Sequence, residues 1–146
     1  MQRCSFHDYD IRSGIKHKRK MALLVKEILK KKREDFNINY IFCSDEYLLS
    51  INKEYLKHKT LTDIITFDLS EHNSLLLIAD IYISLERIEE NAQSFKKSFT
   101  EELLRVVIHG ILHLLGHKDK TAKEKTNMRR LETRWINHYI KNILPL

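Results

Sequence analysis

Two histidines four residues apart, His109 and His113, are the side chains best spaced to do chemistry. At i and i+4 on a helix they share one face and can hold one metal ion between them. They interrupt an apolar run, on a stripe that continues back through Arg105 and Glu102. Imidazoles buried side by side cost free energy unless they are paired or ligated. An ion there needs a third ligand. Were the helix to continue, His117 would lie roughly 12 Å along its axis from His109, too far for one ion. Gly116 suits a helix end, so the chain can turn back and offer either His117 or Asp119. Asp119 is the preferred candidate, because it lies far enough beyond the glycine to swing round and a carboxylate is an ordinary zinc ligand. Three protein ligands leave a fourth position for water, as at a catalytic zinc, which lowers the pKa of that water to about 7. Metallopeptidases with a His-Glu-x-x-His helix carry their general base after the first histidine. Here that residue is Gly110, which argues against peptide hydrolysis. A glycine there leaves room either for substrate to approach the helix or for close packing on a strand.

The elements that must position these groups are legible from periodicity. Residues 99 to 115 read as a helix that is apolar nearly all round, opened by the capping pattern Ser98-x-x-Glu101 and closed at Gly116. A second capping pattern, Thr121-x-x-Glu124, opens the last helix. Its apolar face carries Met128, Leu131, Trp135, Ile136, Tyr139, Ile140 and Ile143. An earlier helix has Met21, Leu24, Val25, Ile28 and Leu29 on one face and lysines around the rest. Residues 45 to 55 read as helical, and Ser84 can cap a helix running to about Phe95. Segments 4–11, 36–43, 62–69 and 74–83 have the alternation or β-branched content of strands. Strands clustered mid-chain among helices predict an α+β fold. The expectation is one domain over residues 1–146, with a mixed sheet of about four strands packed on several helices and a metal site on a central buried helix.

Composition narrows the class. A chain of 146 residues, 42% hydrophobic, can bury a core of its own and is too apolar to be disordered as a whole. Three glycines and one proline exclude a collagen-like or linker-rich chain. Cys4 and Cys43 form no Cys-x-x-Cys pair, which argues against a disulfide framework or a cysteine zinc site. No uncharged run approaches the ~18 residues of a membrane span, and the first residues lack the apolar core of a signal peptide. The expectation is a cytoplasmic protein that does not engage membranes. The formal net charge is +6. Residues 16–33 hold nine Lys/Arg and one Glu, so this segment alone carries +8 and the remainder −2. A local basic patch attracts polyanions such as RNA.

The stretch from His109 to Asp119 resembles the signature of the YbeY family, His-Gly-x-Leu-His-Leu-x-Gly-x-Asp-His. Asn52-x-x-Tyr55 and Thr62-Asp63-Ile64-Ile65-Thr66-Phe67 are similar to its Asn-x-x-Tyr-Arg and Thr-Asp-Val-Leu-Ser-Phe stretches. Asp80-Ile81 and Met128-x-x-x-Glu132 extend the likeness, which covers roughly residues 50 to 135. The resemblance implies a metal-dependent endoribonuclease acting on single-stranded RNA. It implies a role in maturing the 3′ end of small-subunit ribosomal RNA and in ribosome quality control. It also implies a single Zn2+ held by His109, His113 and Asp119. Two positions depart from the pattern. Asp119 stands where the family usually has a third histidine, which bears on metal preference. Leu56 stands where the family has an arginine thought to contact phosphate, and Lys57, His58 and Lys59 follow it as candidate RNA-binding residues. The rival expectations are a non-catalytic RNA- or ribosome-binding factor with a structural metal, and a metal-dependent hydrolase of another substrate.

Overall fold

The computed structural model describes residues 1–56 and 62–146. Among the described residues, four strands and five α-helices follow in the order β1 (Gln2–Asp8), α1 (Lys18–Lys30), β2 (Asp35–Cys43), α2 (Asp45–Tyr55), β3 (Ile64–Asp68), β4 (Leu76–Ser84), α3 (Leu85–Ser94), α4 (Phe99–Leu114) and α5 (Ala122–His138), ending in a π-helical turn, Tyr139–Ile143. The sheet order is β1-β2-β4-β3. Strands β1, β2 and β4 run parallel, and β3 pairs antiparallel to β4 with Ile64 opposite Ile83. The expected α+β fold with a mixed four-stranded sheet is therefore the observed one. Among the described residues no helix is long and apolar enough to cross a membrane.

Alternation places the core. Phe36, Ile38, Tyr40 and Phe42 of β2 and Leu77, Ala79, Ile81 and Ile83 of β4 point to one face of the sheet and are fully buried. The apolar stripe of α1 closes over that face beside α4. Each large aliphatic side chain removed from water here contributes about 1.5–3 kcal/mol. Tyr40 buries its ring against Phe6 and donates its hydroxyl proton to the Val107 carbonyl at 2.7 Å, so the polar atom is satisfied inside the core. On the opposite face Leu48 and Ile51 of α2 pack with Ile65 in a second, smaller cluster.

Several local expectations are adjusted by tertiary contacts. The first strand begins earlier than its apolar residues indicate, because Met1 and Gln2 are held by Asp35 and Phe36 of β2. It stops at Asp8; beyond it Asp10 instead receives the Ser44 backbone N–H at 2.8 Å. At α4 half of the capping pattern forms. Ser98 accepts from the Glu101 N–H, while the Glu101 carboxylate lies 3.7 Å from Lys97. At α5 both halves form between Thr121 and Glu124. Ile140, expected on the buried face of the last helix, is half exposed. The wider π turn shifts the phase of the helix there and carries Ile140 outward.

Candidate metal centre

Helix α4 runs across the sheet and delivers His109 and His113 to one edge of it. The helix closes with two bonds that depend on Gly116. The Gly116 N–H reaches the His113 carbonyl and the His117 N–H reaches the Leu112 carbonyl, each at 3.0 Å. Gly116 has φ +97°, a left-handed conformation that side chains disfavour, and the pattern is a Schellman cap. The cap reverses the chain and brings Asp119 back over the two imidazoles.

The resulting cluster is compact. His109 Nε2 lies 3.4 Å from Asp119 Oδ2, and His113 Nε2 lies 3.4 Å from Asp119 Oδ1. The three ligand atoms lie within 4.8 Å of one another. Donors bound to one tetrahedral zinc at about 2.0–2.2 Å stand about 3.4 Å apart. Each histidine nitrogen meets that spacing to its own oxygen of Asp119, and with one oxygen taken for both the three donors lie within 4.8 Å. Two nitrogens and a carboxylate oxygen are also a donor set zinc accepts. His117 turns the other way, toward Lys32, and stands outside the cluster. Burial and the Lys32 charge hold its pKa below the ordinary imidazole value.

Behind the cluster lies a layer that periodicity does not disclose. His109 Nδ1 sits 2.6 Å from Glu132 Oε2 on α5. The other oxygen of Glu132 accepts from Arg105 at 3.1 Å, and Arg105 also reaches Thr133. Glu132 is 4% exposed. A neutral His109 that donates its Nδ1–H to Glu132 leaves the Nε2 lone pair on the side of Asp119. Burial alone would push the His109 pKa down. The hydrogen bond to Glu132 and its charge, with Asp119 and Asp63 behind them, outweigh burial and hold it above the ordinary value.

Two cavities share the cluster. One, about 320 Å³, lies toward α5 and is walled by Glu102, Arg105, Arg129, Lys125 and Glu132. The other, about 610 Å³, follows β3 past Thr62, Thr66 and Asp68. Asp63, His109 and Asp119 line both. Burial raises the Asp63 carboxyl above the usual range despite the opposing pull of His109. Burial, aided by Asp63, does the same to Glu102. Raised carboxyls are stronger proton acceptors than ordinary ones when ionised. Gly110 faces the sheet rather than the cavities. A β-carbon there would come 2.9 Å from Ile64 Cδ1 and 3.5 Å from Ile81, so the glycine serves close helix–strand packing and not substrate approach. Leu56 is exposed at the end of α2, and Lys57, His58 and Lys59 lie outside the described residues.

The family model described as Endoribonuclease YbeY matches residues 7–140. The chain belongs to the YbeY family. It is 59% identical over 96 residues to the Endoribonuclease YbeY of Christiangramia forsetii, covering 66% of each chain. The counterpart from Flavobacterium psychrophilum is 52% identical over 105 residues, 72% of this chain and 74% of the relative. The solution structure of TM1509 from Thermotoga maritima superposes with a TM-score of 0.68 at 29% identity, over 94% of this chain and 89% of that one. YbeY proteins are named as endoribonucleases, hydrolases that act on RNA, and a possible metal-binding His/His/Asp group in this member sits at two adjoining cavities.

Proposed function

We propose that this YbeY protein is a zinc-dependent endoribonuclease that cuts single-stranded RNA, holding one Zn2+ through His109, His113 and Asp119. The observation that carries the reading is the gathering of those three donors, from a helix and its reversed cap, at the junction of two open cavities. A zinc ion held there would supply Lewis acidity, polarising a phosphoryl oxygen or acidifying a water. The chain's own groups supply the rest. Glu132 and Arg105 fix the orientation of His109. Arg129 and Lys125 present positive charge to a phosphodiester in the smaller cavity. Lys57, His58 and Lys59 add phosphate contacts in place of the arginine absent at position 56, a reading supported by Thr62 lining the larger cavity. The basic segment 16–33 holds the RNA backbone, so affinity falls steeply with salt. The reaction breaks one P–O bond of the chain. Attack by water leaves a phosphomonoester, and attack by the ribose 2′-hydroxyl leaves a cyclic phosphate. Family membership supports a cytoplasmic role in maturing the 3′ end of small-subunit ribosomal RNA and in ribosome quality control.

The test is cleavage of a single-stranded RNA by protein stripped of metal and reloaded with zinc, beside His113→Ala. Cleavage restored by zinc and lost in the variant is the expected result. RNA bound in a salt-sensitive way but cut in neither state would overturn the reading in favour of a binding factor.

A further inference from the structure

The cleft between the C-terminal end of α1 and α5 lies on the far side of the Gly116 turn from the metal cluster. It has a volume of about 730 Å³. Its floor is apolar, built from Leu112, Leu115 and Leu131, and Trp135 stands half-buried in its wall. Its rim carries Lys30, Lys31, Lys32 and Arg134. Among the described residues the one carboxylate lining it, Glu27, is engaged by His138 at 2.6 Å. Lysines at a helix C-terminus complement the helix dipole, which accounts for Lys30 and Lys31. It does not account for Arg134 on the facing helix, nor for an accessible tryptophan between the two. Lys31 Nζ rests 5.6 Å from the indole centroid and His138 meets the ring edge-on, so one face of the ring is covered by an ammonium group.

We propose that this cleft is a second RNA site, which stacks a base of single-stranded RNA on Trp135 and holds the adjoining phosphates with Lys31, Lys32 and Arg134. The inference deepens the endoribonuclease reading and rests on it. Aromatic platforms set among cations are how proteins hold single strands without reading sequence. A duplex would use the cations and leave the indole idle, because its bases are already stacked. When a base takes the indole face, Lys31 moves off the ring and becomes free to meet phosphate. The geometry also relates the two sites. Leu112, Leu115 and His117 line the cleft, while His113, Leu114 and Asp119 line the larger cavity at the metal cluster. The reversed turn at Gly116 is the wall between them, and exposed Lys118 and Lys120 stand beyond it. A strand crossing that turn meets the cations of the cleft and then Lys118 and Lys120, and places nucleotides in both sites. The cleft therefore holds the flank of the substrate while the cluster faces the phosphodiester to be cut.

The chain has a single tryptophan, so its fluorescence reports this cleft alone. The probe is a 2′-O-methyl oligouridylate of about twelve nucleotides, within the span single-strand sites cover. It is titrated into wild type and into His113→Ala. Quenching of Trp135 is expected in both, because the cleft does not depend on the cluster. A fluorescein-labelled copy of the oligonucleotide then reads affinity by anisotropy. Trp135→Ala is expected to weaken binding roughly ten-fold. Trp135→Phe, which keeps an aromatic face and guards against a folding defect, is expected to restore most of it. Lys31→Glu with Lys32→Glu should weaken binding and flatten its salt dependence. Absence of quenching, or a Trp135→Ala affinity within two-fold of wild type, would overturn the proposal. Equal quenching by polyglutamate would overturn it too, in favour of an acidic protein partner. Cleavage of RNA without quenching sinks the cleft and spares the nuclease. Quenching without zinc-restored cleavage sinks the nuclease and leaves the cleft as an RNA site.

Discussion

Glu132 makes the assignment of the metal centre testable from behind. Replacing it by Gln keeps the size of the side chain and removes its charge. The buried carboxylate now accepts from His109 at 2.6 Å and from Arg105 at 3.1 Å. A glutamine has one oxygen, so it can serve one of those donors and must turn its amide NH2 toward the other. At least one charge-assisted hydrogen bond is lost, worth about 1.5–3 kcal/mol. For a domain of this size that lowers the melting temperature by roughly 3–12 °C, at about 2–4 °C per kcal/mol. The effect on metal is separate. With Nδ1 no longer held by a carboxylate, the imidazole loses its fixed tautomer and part of its basicity, and zinc affinity should fall 10- to 100-fold as outer-layer changes typically do. Competition against a chromophoric chelator measures the affinity, and thermal melts of the metal-free protein measure the stability. A variant that melts lower but binds zinc within two-fold of wild type would refute the reasoning. Glu132 would then be a tie between helices and nothing more.

Asp119→Ala should abolish tight zinc binding and His117→Ala should leave it intact; equilibrium dialysis showing the reverse would move the third ligand to His117. In the metal-free protein His109 has its pKa raised above its ordinary 6.5, so its contribution to stability is full below about pH 6.5 and disappears as pH rises through the folded value. The melting difference between wild type and His109→Gln should shrink over that window, while zinc affinity rises as the proton leaves; a difference that widened with pH would reverse the sign of the argument. Gly110→Val should destabilise the fold by about 1–3 kcal/mol in urea titrations by wedging α4 off Ile64 and Ile81. An unchanged urea midpoint with lost cleavage would instead put substrate at that position.

Much of this architecture is legible in the sequence because its signals are local. The i, i+4 histidines, the glycine cap and the Thr121 capping box each need only a few consecutive residues, and each appears where it is expected. The cap shows from sequence that the chain turns back, but it leaves both His117 and Asp119 open; the packing after the turn sets Asp119 against the two imidazoles and His117 toward Lys32. Glu132, Arg105 and Asp63 are different. Glu132 meets His109 across a separation of 23 residues, through the docking of α5 on α4, and no periodicity encodes that contact. The match of Met128-x-x-x-Glu132 to the family marks the helix without marking its role. Gly110 is read two ways from sequence because a missing side chain does not say what fills its place; Ile64 and Ile81 fill it. Ile140 keeps the helical spacing yet leaves the core, since a π turn has no signature in an apolar pattern.

The three proposed ligands span eleven consecutive residues, His109 to Asp119, and this bears on the order in which the protein comes together. Closing so short a loop costs little chain entropy, and a helical turn forms far faster than a parallel sheet pairs. The donors can thus meet on the nascent helix before β1, β2 and β4 are in register. Glu132 reaches His109 only once α5 docks on α4, and it then stops the first imidazole from turning. Lesions in the packing of α5, at Met128 or Ile136, would then leave a chain that still captures metal but holds it loosely. Such damage would surface as poor discrimination among ions well before it surfaced as unfolding.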